Sequence, residues 1–176
     1  MKYTLQDIIF GLIKTIVLLV VLEIITTALL PALGISGFKP AFNVLIVLFL
    51  AFKLDTPLLP FLILIIQYTH SVFSIEGWAV GTFTGIFISI SVKYIKDQLN
   101  FSSAISTIIV VQIFQILWFL CVATMFSIKL GSFSNFFPMM IGYIPESIFL
   151  SIISHFFFKL LDNFWQLNRR SSGMAY

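Results

Sequence analysis

Apolar residues fill long uninterrupted runs of this chain, and polar residues gather in short breaks between them. The first run covers residues 8–33 and stops before Gly34-Ile35-Ser36-Gly37. It is long enough to cross a bilayer, which takes about 20 apolar residues. Although Ala28 to Ala32 has a faint likeness to a cleavage region, the run is too long and too poorly ended for a removable signal, so a permanent span is expected.

Two shorter runs follow, at residues 41–53 and 57–69. Phe38-Lys39-Pro40 opens the first, with Pro40 suited to a helical first turn where its missing N–H costs nothing. Lys53-Leu54-Asp55-Thr56-Pro57 separates the pair, and Asp55 or Thr56 is placed to cap the second. Either two short, tilted spans or one re-entrant hairpin would fit. Two spans are favoured, because a hairpin would sink the charged turn into lipid. His70 is read as lying in the loop beyond.

The fourth run, residues 77–95, ends in Lys93-Tyr94-Ile95-Lys96-Asp97, a basic and aromatic boundary of the kind found at membrane surfaces. The fifth covers residues 102–128, with Asn100 and Ser102 as candidate caps. The sixth, residues 139–165, has two readings. Its helix begins near Phe137 and bends at Pro145, or it begins at Pro145, with residues 137–144 packed separately and Glu146 near the positive helix end.

The pattern predicts an all-α integral membrane protein with about six transmembrane helices, two of them short, in one bundle forming a single membrane domain over residues 1–176. Basic residues then set the orientation. Lys2, Lys53, Lys93, Lys96, Lys159, Arg169 and Arg170 fall on one side, against Lys39 and Lys129 on the other. By the positive-inside rule both termini are expected in the cytoplasm. Trp78, Tyr94 and Trp165 fit interfacial anchors.

Composition excludes a soluble domain with a polar coat: 60% of residues are hydrophobic, 10% are charged and 21 are phenylalanine. A formal charge of +3, scattered along the chain, gives no footprint for nucleic acid. Cys121 is the single cysteine, so no internal disulfide forms.

Several polar or small residues inside the runs invite chemistry. Gly77, Gly81, Gly85 and Ser89 lie four apart on one helical stripe, where a second backbone could approach closely. That seam could close inside the chain or receive a partner's helix; a phosphate loop is not expected, because Lys93 is too far along and no apolar strand-turn signature precedes the glycines. Glu23, mid-span, is either a proton or substrate site or an interior group paired with a hydroxyl or an amide such as Gln112 or Gln115. Lys14, nine positions earlier, is half a turn out of phase with it and is expected to snorkel. Gln112, Gln115 and Trp118 share one side of the fifth helix, where amides join helices by hydrogen bonds. His155 has no partner at metal-binding spacing, and Ser151 with His155 lacks an orienting acid. No enzyme activity, metal or cofactor is expected.

Three stretches carry a family resemblance. Phe38-Lys39-Pro40-Ala41-Phe42 looks like an aromatic-x-Pro opening of a short second span, Ile75-Glu76-Gly77 like a glycine-containing turn between spans three and four, and Ile144-Pro145-Glu146-Ser147-Ile148-Phe149 like a Leu-Pro-x-x-apolar-aromatic stretch of a last span. Together they resemble the rod shape-determining protein MreD family over roughly Phe38 to Trp165. The chain departs from the family in having no glycine between Leu58 and Thr69, Gln67 where an aspartate is common, and Leu150 where an asparagine is common. The resemblance implies a non-enzymatic scaffold subunit in the bacterial inner membrane. Its partners would be an MreC-like protein, RodA with its transpeptidase, and the MreB filament. A second class also fits the pattern: the substrate-binding subunit of an energy-coupling factor transporter for a vitamin or metal, with Gln67, Glu76, Trp78 and Glu146 available to line an outward pocket.

Overall fold

The structure is a computed structural model that describes residues 4–35, 38–74, 77–96 and 103–165. Its six helices are α1 (Leu5–Ala32), α2 (Phe42–Lys53), α3 (Leu59–Ser71), α4 (Trp78–Ile95), α5 (Ala104–Leu130) and α6 (Phe136–Trp165). Helices α1, α4, α5 and α6 are long and apolar enough to cross a membrane, while α2 and α3 have 12 and 13 residues. The chain is an all-helical membrane protein.

Which way each helix faces follows from solvent chemistry. On α5, Ile105, Ile109, Ile113, Ile116 and Leu120 form an exposed stripe, whereas Thr107, Gln115 and Ser127 are buried. On α1, Ile9, Ile13, Val17 and Val21 are exposed while Thr15, Glu23 and Thr26 are buried. Apolar side chains outside with polar ones inside is the arrangement that lipid selects and water would not.

Local signals explain most helix ends. Thr4 and Asp7 form a reciprocal capping box at the start of α1. Ser103 accepts a hydrogen bond from the Ser106 amide to open α5, which closes on Gly131 in the left-handed conformation (φ +66°). Two expected caps differ. Leu58, not Asp55 or Thr56, precedes α3; Thr56 instead uses its hydroxyl to hold the Leu58 amide at 3.3 Å. The expected caps Asn100 and Ser102 lie outside the described residues, as do Lys2, Glu76, Arg169 and Arg170.

Pro145 lies inside α6, which runs unbroken from Phe136 to Trp165. The reading that begins the last helix at Pro145 is therefore overturned. A helix interior tolerates proline in a membrane when neighbouring helices hold the segment, and α6 is held by α5, α1 and α2.

The two short runs are two helices, and their roles differ. Every residue of α2 from Phe42 to Ala51 is buried. Apolar on all sides except at Asn43, α2 behaves as a helix must when no face meets solvent. It packs against all five other helices, with Phe42 near Phe157 (ring centroids 5.9 Å) and Phe49 near Phe158 (5.6 Å). Twelve residues rise about 18 Å, short of the ~30 Å hydrocarbon core, so α2 is a plug held by protein.

At the C-terminal end of α2, Lys53 pairs with Asp162 at 3.5 Å, and just beyond it Asp55 pairs with Lys96 at 3.7 Å. Trp165, expected as an interfacial anchor, is instead 5% exposed and donates from Nε1 to the Thr15 hydroxyl at 3.1 Å. Its ring lies against Gly11, where an added Cβ would come within 2.6 Å. A side chain at residue 11 would fill the space that the indole occupies.

Candidate functional site

The glycine stripe divides into three roles. A Cβ on Gly81 would collide with the Gln67 amide of α3, and one on Gly85 would lie 2.7 Å from Ile63 Cγ2 and 3.4 Å from Trp118 Cη2. Those two glycines bring α4 onto α3 and α5, so the chain's own side chains take the space that a partner's helix would need. Gly77 does something else. It precedes α4 with φ +76° and has no atom within 4 Å of its would-be Cβ, so conformation rather than packing requires it. Ser89 is buried and returns its hydroxyl to the Ile86 carbonyl at 2.8 Å.

The amides beside this seam join helices. Gln67 Oε1 accepts from Asn43 Nδ2 at 3.0 Å, linking α3 to α2. Gln112 donates to Ser147 Oγ at 3.1 Å and accepts from Ser151 Oγ at 2.7 Å, linking α5 to α6. Ser151 is thereby engaged away from His155, which is half-buried beside Phe156. Gln115 is fully buried, and neither of its amide atoms has a hydrogen-bond partner among the described residues.

Ionisable groups converge at the opposite end of the bundle from Lys53 and Asp162. Glu23, 5% exposed, meets His70 with Oε1 2.6 Å from Nδ1. This corrects two expectations. Glu23 pairs with neither Gln112 nor Gln115, and His70 lies in the last turn of α3 rather than in a loop. A charge-assisted bond of this length can offset the cost of burying a carboxylate in a span.

Backbone geometry around Glu23 is also unusual. Two residues after it, α1 widens into a π-helical turn over Ile25–Leu29. The hydroxyls of Thr26 and Thr27 both donate to the Glu23 carbonyl, at 3.1 and 2.6 Å, supplying partners where the regular ladder is interrupted.

Glu23 and His70 open onto a cavity of about 290 Å³ that is also lined by Thr26, Thr27, Lys39, Tyr143 and Glu146. Its rim is fastened by the two stretches Phe38-Lys39-Pro40 and Ile144 to Phe149. The Lys39 amide donates to Glu146 Oε1 at 3.1 Å, and the rings of Phe38 and Phe149 meet edge to face at 5.2 Å. Tyr143 stacks on Phe119 at 4.3 Å. Of the residues expected in an outward pocket, Glu146 lines the cavity; Gln67 and Trp78 do not. No three His, Cys, Asp or Glu among the described residues come together to hold a metal ion.

Sequence reasoning singled out Glu23 and Glu146 but missed His70, Lys39 and Tyr143 as their neighbours. An ionisable residue in a span is a demand for a partner, and that demand was the available signal. Fold and site together define a polytopic helical membrane protein with an internal plug helix and a small charged cavity at one end. No protein-family model matches the chain, and comparison with curated proteins and with solved structures also gives no match.

Proposed function

We propose that the chain is a non-enzymatic scaffold subunit of the bacterial cell-wall elongation complex, resembling MreD and working in the inner membrane with both termini in the cytoplasm. The observation that supports this reading is the meeting of two of the stretches that carry the resemblance. Phe38-Lys39 and Glu146-Phe149, 107 residues apart at the hydrogen-bonded pair, join through the Lys39 amide and the Phe38 ring. A likeness scattered by chance along a sequence has no reason to converge on one structural joint. Lys53, Lys93 and Lys96 gather at the other end of the bundle, which supports a cytoplasmic placement for that end.

A tagged copy isolated in mild detergent tests the reading. An MreC-like protein, with RodA, its transpeptidase or the MreB filament, is the expected company. The cavity favours a second reading, the substrate-binding subunit of an energy-coupling factor transporter. Recovery of two ATPase subunits and a coupling protein would replace the scaffold with that transporter.

A further inference from the structure

Burying a carboxylate in a membrane helix has a cost, and the chain meets it where α1 changes its winding and where a cavity opens. A purely structural pairing of Glu23 with His70 would be best served by packing the surroundings with apolar side chains. The lining instead mixes Pro40, Ala41 and Phe73 with Lys39, Glu146 and Tyr143 around about 290 Å³ of open volume. We propose that this cavity binds a small organic ammonium compound that also carries a carboxylate, of the size and charge pattern of a short amino acid.

The class follows from the donors and acceptors. His70 Nδ1 lies 2.6 Å from Glu23 Oε1, and a Glu23 carboxylate offers only acceptors. Glu146 adds another carboxylate, so the cavity presents acceptors suited to an N–H-rich cation. Lys39, exposed at the rim, is the one Lys or Arg among the described lining residues and suits a single carboxylate on the same ligand. The volume sits at the lower end of the range for small-molecule sites, which selects a compact solute. A dianion would meet two carboxylates, and an uncharged apolar molecule would strand the buried polar groups.

Calorimetric titration of the full chain in dodecyl maltoside micelles, with β-alanine, ethanolamine and propionate as probes, tests the assignment. β-Alanine and ethanolamine bind, and propionate binds at least about tenfold more weakly than β-alanine. Glu23→Gln weakens β-alanine by at least about tenfold. Lys39→Gln, at an exposed position that the fold can spare, weakens β-alanine by about fivefold while ethanolamine stays within about twofold, and it decides the matter if Glu23→Gln does not fold. Absence of binding by both amines, propionate matching β-alanine, or unchanged β-alanine affinity in the variant tested overturns the proposal. None of these results bears on which proteins co-purify with the chain, so the scaffold reading stands or falls separately.

Discussion

Replacing Gly81 with alanine adds one methyl group at the tightest point between α3 and α4. The new Cβ would lie 3.0 Å from Gln67 Cδ, 3.4 Å from Cγ and closer still to Oε1. Gln67 is 1% exposed, so it cannot swing aside into solvent, and its Oε1 already accepts the Asn43 amide at 3.0 Å. That bond breaks and the helices are also pushed apart. A stranded buried amide costs about 1–3 kcal/mol and forced overpacking a further ~1–3 kcal/mol. The better helix propensity of alanine returns about 1 kcal/mol. The net expectation is a loss of about 3 kcal/mol, measured by tryptophan fluorescence during reversible unfolding in mixed micelles of rising sodium dodecyl sulfate content. Gly142→Ala is the control: it is also inside a helix, but nothing lies within 4 Å of its Cβ position, so stability holds or rises by up to ~1 kcal/mol. The loss at Gly81 should shrink in a Gln67→Ala background, because the two side chains share one space. Wild-type stability for Gly81→Ala, or an undiminished loss without Gln67, would refute the seam.

Gly11→Ala should cost about 2 kcal/mol by the same assay, because Trp165 must leave its bed on α1 and release the Thr15 hydroxyl. His70→Leu leaves Glu23 without its bonded partner and should destabilise by about 3 kcal/mol, the lower end of the range for breaking a buried pair. The double variant Glu23→Leu/His70→Leu should recover most of that loss, and a double-mutant cycle of unfolding with Glu23→Leu as the second single variant checks it. Reporter fusions after Lys96 and Lys129 should report cytoplasm and exterior respectively; a cytoplasmic signal after Lys129 would overturn the proposed orientation.

Helices were legible in the sequence because lipid imposes long apolar runs and little else. The partners of polar residues inside those runs were not. Glu23 announced itself by its cost, yet His70 stands 47 residues away at a helix end that reads as loop, and no periodicity connects them. The four-residue glycine stripe was legible as a close approach at Gly81 and Gly85. What approaches, Gln67 and Ile63, depends on how α3 is rotated about its axis. Gly77 shares the spacing but not the role, because spacing cannot distinguish a helical residue from the one before it. Gly11 was missed and Trp165 was read as an anchor, since a tryptophan near a span's end looks the same whether it faces headgroups or a neighbouring helix.

The enclosed position of α2 bears on how the protein is made. A segment about 18 Å long is a poor passenger in a bilayer by itself, because the polar groups at its ends would be drawn into hydrocarbon. Most membrane helices can insert singly and then associate. For α2 the order is reversed: apart from α1, its surroundings are furnished by α3, α4, α5 and α6, which emerge from the ribosome after it. Until α6 has been synthesised, α2 must wait at the interface or beside the insertion machinery. A chain cut short before α6 should therefore fail at its second helix, far upstream of the missing part.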